Sequence, residues 1–552
     1  IPVTGFRYLP RAESGCPGMI KDYKVYLRQY DFTYDALDET AVNEGLAILP
    51  YPQKVDVTGG NLILSSGRLS IGAVPQFKNE VGLFIDQVAA DKGIDLKKTG
   101  VKKAAIRILE DDSLQNEEAY ALSVSEDGVV VRSRGAAGAF YALQTLSQIM
   151  TANEDGVSIP ECNIEDAPQL GWRSFMLDEG RSFKGMAVVK QLLDDMARLK
   201  MNVFHWHLTD DQGWRIEIRK YPLLTEVGAR RDSTQVGWYE YNTYDGKPHE
   251  GFYTQAQIKE IIEYAAARHI TVVPEIEMPG HSAAAVAAYP WLSAAGKQIR
   301  VPCKFGVQYN VFNPADERVL GFLEDVLDEV MDLFPSKVIH IGGDEVRYDE
   351  WKNSRQVMDF IAENNLGSPA GLQVWFTNKI ASYIESKGRR MMGWNDITGD
   401  QLHHFQNEVA ETTVGLSPDA VVQFWSGKPE LMLKSARHGN DIVNSFNEYT
   451  YLDYSTEYDP VQATYNWKPI SLEKAYSFSP VPDGFPEELK IKVIGAGCQM
   501  WGEWIPTVEK MNRQVYPRIA AYAEAFWSAP SQKDFARFQR SLLPFLTRWS
   551  SR

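Results

Sequence analysis

The run His340-Ile341-Gly342-Gly343-Asp344-Glu345 places two adjacent carboxylates directly after a short apolar strand. Glycine allows a ligand to approach the backbone closely, and neighbouring side chains at a strand end point in different directions. Asp344 and Glu345 can therefore take different roles beside one substrate, as paired carboxylates do in the chemistry of sugars. The alternative interpretation is a strand that ends in a solvated acidic turn.

Short apolar strands of this kind alternate with amphipathic helices from residue 172 onward, a pattern typical of a parallel sheet with crossover helices. Eight such units predict an α/β chain with a (β/α)8 TIM barrel. The predicted strands span 172–177, 202–208, 271–276, 337–341, 390–394, 421–425, 441–445 and 493–500, and clear helical periodicity covers 186–200, 254–269, 315–333 and 371–387.

Residues 46–165 are organised differently and predict a small α+β domain ahead of the barrel. Strand-like runs occupy 61–64, 105–109, 119–124 and 129–132, and helical spacing appears at 81–89 and 135–150. The barrel domain then takes residues 166–552. Residues 1–45 show no clean period, and we expect an irregular N-terminal segment there.

The composition indicates a globular chain and excludes several classes of protein. The 552 residues are 44% hydrophobic with a formal net charge of -16. No apolar stretch reaches the roughly 18 residues of a membrane span, and the negative charge argues against a nucleic-acid partner. The 14 Trp and 26 Tyr offer flat faces for sugar rings. A neutral or cationic substrate is the better expectation.

The four cysteines, Cys16, Cys162, Cys303 and Cys498, lie far apart without a CxxC pair, which excludes a zinc ribbon or a thioredoxin-type motif. We expect mostly buried thiols, with one disulfide possible. No signal peptide is visible, but the sequence begins at Ile1 and is consistent with a processed or truncated form.

Polar or aromatic side chains follow every predicted barrel strand. Functional residues of such barrels gather at the carboxyl ends of the strands, so we expect these side chains to form one site. In strand order they are Asp178 with Arg181, residues 205–211, residues 275–281, Asp344 with Glu345, residues 394–396, Trp425, residues 447–453, and Trp501 with Glu503.

Two of these motifs, residues 340–345 and the run FHWHLTDDQGWR at 204–215, resemble glycoside hydrolase family 20, the β-N-acetylhexosaminidases. The resemblance runs from about residue 46 to 530. It implies an exo-acting, retaining enzyme that removes terminal β-linked N-acetylglucosamine or N-acetylgalactosamine from glycans or glycoconjugates. In that family the substrate's own acetamide oxygen is the nucleophile and an oxazolinium ion is the intermediate. The resemblance implies neither a cofactor nor a metal, and a secreted or periplasmic location.

The resemblance also assigns the catalytic roles. Glu345 corresponds to the general acid that later acts as base, and Asp344 to the residue that holds the acetamide N–H. Tyr451 corresponds to the tyrosine that aims the acetamide oxygen, and Asp210 and His281 line up behind the acid. We expect an ionised Asp344 to raise the pKa of Glu345 by like-charge repulsion. Alone, His281 would be interpreted as a structural histidine.

Six further residues correspond to the family's sugar-binding groups. Arg181, Asp453 and Glu503 are expected to take sugar hydroxyls, and Trp394, Trp425 and Trp501 to wall the pocket. Each has a plainer interpretation: a salt bridge for Arg181, solvated loop acids for Asp453 and Glu503, and core packing for the tryptophans.

The sequence leaves three alternatives to an exo-acting hexosaminidase. A metal-dependent hydrolase could use His205, His207, Asp210 and Asp211 as ligands. In an extended strand, however, the side chain of Asp210 would point to the face opposite that of the other three. A noncatalytic sugar-binding protein would be expected to lose residues such as Glu345. A disaccharide-releasing enzyme of the lacto-N-biosidase type needs a roomier pocket than Arg181 and Glu503 suggest.

The stretch 235–251 is longer and more aromatic than the family requires. It either lines a site for the leaving group or is a packed surface loop.

Overall fold

The computed structural model describes residues 46–154, 156–406, 415–457 and 468–550, and a closed barrel of eight parallel strands lies at its centre. Each strand pairs with the next one along the chain, and the eighth pairs with the first. All eight predicted strands are confirmed. They span Trp172–Asp178, Val203–His207, Thr271–Glu275, Val338–His340, Arg390–Trp394, Val421–Phe424, Asp441–Asn444 and Val493–Met500.

Helices connect the barrel strands, and the four predicted from periodicity are present with ends shifted by a few residues. One of them begins with a capping box, in which Thr254 and Gln257 exchange side-chain and backbone hydrogen bonds. The longer helices after the first barrel strand are Met186–Arg198, Gln255–Ala266, Glu317–Leu333, Arg355–Glu363, Pro369–Ser386, Pro429–His438, Val508–Val515, Arg518–Trp527 and Phe535–Trp549. Shorter ones are Leu223–Glu226, Ala283–Ala288, Asp349–Lys352, Asn447–Thr450 and Leu472–Ser477.

The barrel interior changes from apolar to polar along the strands. Its apolar layer consists of Val203, Val273, Val338, Met392, Val421 and Val443. Side chains two residues apart on a strand share a face, and two residues beyond four of these positions stand His205, Glu275, His340 and Gln423, all buried. The carboxyl end of the barrel therefore carries a buried polar layer directly beneath the strand ends.

The N-terminal part is a mixed eight-stranded sheet with two helices, Lys78–Lys92 and Ala136–Ile149, which confirms the α+β prediction. The predicted domain limits stay a prediction, and residues 1–45 lie outside the described residues. In spatial order the strands are Lys54–Ser65, Gly156–Asp166, Tyr120–Ser125, Gly128–Ser133, Ile106–Glu110, Ser70–Ala73 and Lys97–Lys98, with Thr151–Asn153 also paired to Gly156–Asp166.

Three of the four cysteines lie in the described part of the chain, and they form no disulfide with one another. Cys162 and Cys498 are buried and Cys303 is half-buried, whereas Cys16 lies outside the described residues. Among the helices that the structure describes, none is both long enough and apolar enough to cross a membrane.

A buried ion pair joins the N-terminal sheet to the barrel. Lys200 Nζ lies 3.1 Å from Asp166 Oδ2, and both side chains are completely buried. The same carboxylate accepts hydrogen bonds from the Tyr120 hydroxyl at 2.6 Å and the Trp527 indole at 3.0 Å. Asp166 thus holds together groups from both parts of the chain.

We predict that Lys200→Met lowers the free energy of unfolding by about 3–5 kcal/mol, because it leaves Asp166 as an unpaired buried charge. The matched control is Lys54→Met, which removes an exposed ion pair with Glu165 in the same sheet and should melt close to the wild type, because exposed ion pairs contribute little to stability. Thermal unfolding followed by circular dichroism measures both. A Lys200→Met protein that melts with the wild type would contradict the prediction.

Candidate active site

The structure brings the predicted site residues together at the carboxyl ends of the barrel strands. The turn that carries Asp344 and Glu345 depends on glycine. Gly342 has φ +65°, and a Cβ there would lie 1.8 Å from Glu277 Oε2. Glu345 itself has φ +50°, a conformation that is uncommon for residues other than glycine and that clusters at functional sites. The sequence of small residues before the carboxylates is therefore required by the close packing of this turn.

One imidazole contacts both carboxylates of the pair. His281 Nε2 lies 3.6 Å from Asp344 Oδ2 and 3.5 Å from Glu345 Oε2. On its other side, Nδ1 lies 3.1 Å from Asp211 Oδ2 and 3.4 Å from Asp210 Oδ1. Asp211, which the sequence suggested only as a possible metal ligand, is thus the nearer carboxylate behind the imidazole.

Asp210 is the meeting point of cationic groups from three strand ends. Its carboxylate lies 2.8 Å from Arg181 Nε and 2.9 Å from His207 Nε2, in addition to the contact with His281. Arg181 also lies 3.3 Å from Asp178 and packs over the Trp501 ring at 5.0 Å. Burial disfavours the charge of Asp210, but Arg181 and His281 outweigh it and hold the pKa of this carboxyl well below its usual range.

A second buried carboxylate, Glu275, organises the polar layer below the site. It accepts the Trp394 indole N–H at 2.7 Å. His205 Nε2, His207 Nδ1 and His340 Nδ1 lie 2.9, 2.6 and 3.0 Å from its oxygens. The sequence places Glu275 at a strand end but carries no signal for this role, in which the carboxylate orients the indole of Trp394.

Aromatic rings enclose the space beside the carboxylates. Trp425 and Tyr451 are parallel, with centroids 6.1 Å apart and an interplanar angle of 7°. Trp501 lies 5.6 Å from Trp394 and 5.9 Å from Tyr451. The indole N–H of Trp425 donates to Asp396 Oδ2 at 2.9 Å. The four predicted aromatic residues therefore form one continuous wall.

Burial acts on the carboxyl groups of both Asp453 and Glu503, and of the two it is Glu503 that feels the charge of Arg181. Asp453 is buried, and neither of its carboxylate oxygens has a hydrogen-bond donor within the described part of the chain. Burial, followed by the charge of Glu503, raises the pKa of Asp453 well above its usual value. Burial likewise raises the pKa of Glu503, although Arg181 opposes the change. The two oxygens of Asp453 are therefore available for hydrogen bonds with the hydroxyl groups of a ligand.

The pKa values of Asp344 and Glu345 differ from those expected from the sequence. Burial raises the pKa of Asp344 to about 7, although His281 works in the opposite direction. Burial also acts to raise the pKa of Glu345, but His281 and His403 outweigh it and leave that pKa below its usual value. The prediction that Asp344 raises the pKa of Glu345 is therefore wrong for this arrangement, because two histidines stand beside Glu345.

The aromatic stretch 235–251 packs next to the predicted hydroxyl-binding residues. Trp238 stacks on Trp504 with centroids 5.6 Å apart, and Tyr239 meets the edge of the same ring at 5.1 Å. The Tyr239 hydroxyl lies 3.5 Å from Glu503 Oε1. The stretch thus packs against the barrel end on the side of Glu503, and a role in lining a site for the leaving group stays a prediction.

The four residues of the metal-hydrolase alternative do not converge on one point. His205 groups with Glu275 and His340, whereas Asp211 groups with His281. In the described ranges, no group of close ligand-type atoms contains more than two of the four. The geometry gives that alternative no support, and catalysis without a metal stays a prediction.

Comparison with known proteins gives matches along most of the chain. Residues 170–530 match the glycosyl hydrolase family 20 catalytic domain, and residues 45–167 match domain 2 of that family. A β-hexosaminidase from Porphyromonas gingivalis is 34% identical over 511 residues, which is 91% of this chain but 63% of that relative. The chain thus spans less than two thirds of the length of this relative.

Two solved structures are similar throughout the described fold. The crystal structure of a β-N-acetylhexosaminidase from Bacteroides fragilis has a TM-score of 0.76 and 33% identity, and the match covers 92% of this chain and 96% of that one. An exo-β-N-acetylglucosaminidase from Vibrio harveyi, in complex with N-acetylglucosamine, has a TM-score of 0.80 and 29% identity, with coverage of 92% and 79%.

Proposed function

The chain belongs to glycosyl hydrolase family 20, and from its site we propose that it is an exo-acting β-N-acetylhexosaminidase. It removes terminal, β-linked N-acetylglucosamine or N-acetylgalactosamine from the non-reducing ends of glycans with retention of configuration. The observation that carries the proposal is the position of Asp344 and Glu345, side by side against one imidazole inside an aromatic enclosure. The names of the similar proteins support it.

Side-by-side carboxylates favour a mechanism in which the nucleophile comes from the substrate. Two protein carboxylates that act as acid and nucleophile must flank the scissile bond. Asp344 and Glu345 instead contact the same ring nitrogen of His281, at 3.6 and 3.5 Å. This arrangement supports one carboxyl for proton transfer and one for holding the acetamide.

In the first step the acetamide oxygen attacks the anomeric carbon as the glycosidic bond breaks, and Glu345 gives its proton to the leaving oxygen. Asp344 accepts the acetamide N–H and faces the developing positive charge. The Tyr451 hydroxyl donates to the acetamide oxygen and aims it. In the second step Glu345 takes a proton from water, which attacks the anomeric carbon and opens the oxazolinium ring.

The protonation of the free site fits this sequence once a ligand binds. In the free site burial favours the protonated form of Asp344, whose pKa is raised to about 7. A hydrogen bond from an acetamide N–H favours the ionised form of Asp344. The proton is then available to Glu345, which needs it to act as an acid. Substrate binding thereby favours the protonated form of Glu345 that the first step needs.

The pocket end near Arg181 supports the release of a single sugar. Arg181 supplies a rigid fork of donors. Glu503 supplies a carboxyl group that feels the charge of Arg181, and Asp453 supplies a buried carboxyl group that feels the charge of Glu503. Tyr239 contacts Glu503 and contributes to this wall. A disaccharide-releasing enzyme would need more room here. A secreted or periplasmic location stays a prediction.

We predict that Glu345→Gln and Asp344→Asn each lower kcat/KM for the nitrophenyl β-N-acetylglucosaminide by at least about 100-fold, because each loses a charge or proton used in the transition state. Wild-type activity should survive EDTA. Glu363→Gln, an exposed carboxylate at the end of a helix, is the matched control and should keep wild-type activity.

The same assays separate the alternatives. Loss of wild-type activity in EDTA would favour a metal-dependent hydrolase. Release of a disaccharide from a nitrophenyl lacto-N-bioside, without turnover of either monosaccharide substrate, would favour the disaccharide-releasing enzyme. No turnover of any of these substrates would favour a noncatalytic sugar-binding protein. The rates on the glucosamine and galactosamine substrates measure the preference between the two epimers.

We predict a bell-shaped dependence of kcat/KM on pH. The active pair carries one proton, and a carboxyl with a pKa of about 7 keeps its proton below that pH and loses it above. Activity should therefore fall as the pH rises through about 7, and fall again in acid below the usual pKa of a glutamate, because the pKa of Glu345 is lowered. A profile that stays level up to pH 9 would contradict this assignment.

A further inference from the structure

A second histidine, His403, lies beside Glu345 on the oxygen that His281 does not contact. His403 Nδ1 is 3.8 Å from Glu345 Oε1, whereas His281 Nε2 is 3.5 Å from Oε2. His403 follows the fifth barrel strand, and no motif in the sequence pointed to it. The catalytic carboxyl is thus placed between two imidazole rings.

Each imidazole is backed by an aspartate. His403 Nε2 lies 2.7 Å from Asp396 Oδ1, as His281 Nδ1 lies 3.1 Å from Asp211 Oδ2. Asp396 is itself fixed, because the same oxygen accepts the backbone N–H of Glu345 at 3.2 Å. The second aspartate and histidine therefore form a unit that is tied to the catalytic residue at both its backbone and its side chain.

Aromatic packing fixes the orientation of the His403 ring. Phe405 is nearly parallel to it, with centroids 5.1 Å apart and an interplanar angle of 8°. Trp425 stacks at 5.8 Å and 26°. The His403 side chain is only 11% exposed. Because the ring cannot turn freely between these neighbours, its two nitrogens are held toward Asp396 and Glu345.

We propose that His403 is a second positioning residue for Glu345, a cationic imidazole that holds the carboxyl from the side opposite His281 and stabilises its ionised form. The inference rests on the proposed function, in which Glu345 is ionised after it has protonated the leaving group. His403 then makes Glu345 a stronger acid in the first step. No contact with the substrate is assigned to it.

The charges around the pair support this role. Burial opposes the protonation of His403, but Asp396 and Glu345 outweigh it and raise the pKa of His403 to about 9. The charged and titratable groups that interact with Glu345 include His281, His403, Asp396 and Asp344. An opposite charge within about 4–6 Å favours the ionised carboxylate. Removal of His403 therefore takes away one of the two imidazoles that favour the ionised form of Glu345.

The test is the acid side of the pH profile of kcat/KM in His403→Gln. The glutamine amide can still donate to Asp396 but removes the ring nitrogen and the charge beside Glu345. We expect the acid limb to move upward by about one pH unit or more. His404→Gln is the matched control, since His404 is the adjacent, exposed histidine, and its acid limb should coincide with that of the wild type.

The outcomes separate this inference from the proposed function. If the wild type turns over neither nitrophenyl sugar, the proposed function fails and the inference with it. If the wild type is active and a folded His403→Gln keeps the wild-type acid limb, the inference alone is overturned. Should the melting curve show that His403→Gln does not fold, His403→Asn, which also removes the cation, carries the same expectation and the same contrary result.

Discussion

The buried carboxylate of Asp210 is the constraint on which the site depends. Groups from three strand ends, Arg181, His207 and His281, share its two oxygens at 2.8, 2.9 and 3.4 Å. A buried charge of this kind is tolerated only while its partners are in place, and removal of one partner is strongly destabilising. The same contacts therefore hold three strand ends together and orient the imidazole behind Glu345.

A layered interior makes this arrangement possible. The apolar layer of the barrel ends two residues before His205, Glu275 and His340, so the polar groups begin at the level where the strands finish. Glu275 joins that layer to the pocket, because it binds His207 below Asp210 and the indole of Trp394 in the wall. Two of the pocket walls are oriented by buried carboxylates, because the indole N–H groups of Trp394 and Trp425 donate to Glu275 and Asp396.

Much of the fold and most residues of the site could be predicted from the sequence, because the spacing of apolar residues indicates where strands and helices lie. Short apolar strands ended by polar residues define a barrel, and the carboxyl ends of parallel strands must meet at one edge. The partners within the site could not be predicted in this way. His403 follows Glu345 by 58 positions and Glu275 precedes it by 70, and which side chains meet depends on barrel register and rotamers. The predicted rise in the pKa of Glu345 failed for the same reason, because the two histidines that lower this pKa are distant in sequence.

In the proposed mechanism the substrate's acetamide oxygen, and no group of the protein, attacks the anomeric carbon. The decisive measurement is kcat/KM for nitrophenyl glucosaminides that carry acetyl, fluoroacetyl, difluoroacetyl and trifluoroacetyl groups on nitrogen. Fluorine withdraws electrons from the attacking oxygen, so kcat/KM should fall steeply with each added fluorine. Rates that stay nearly constant across the series would show instead that the protein supplies the nucleophile.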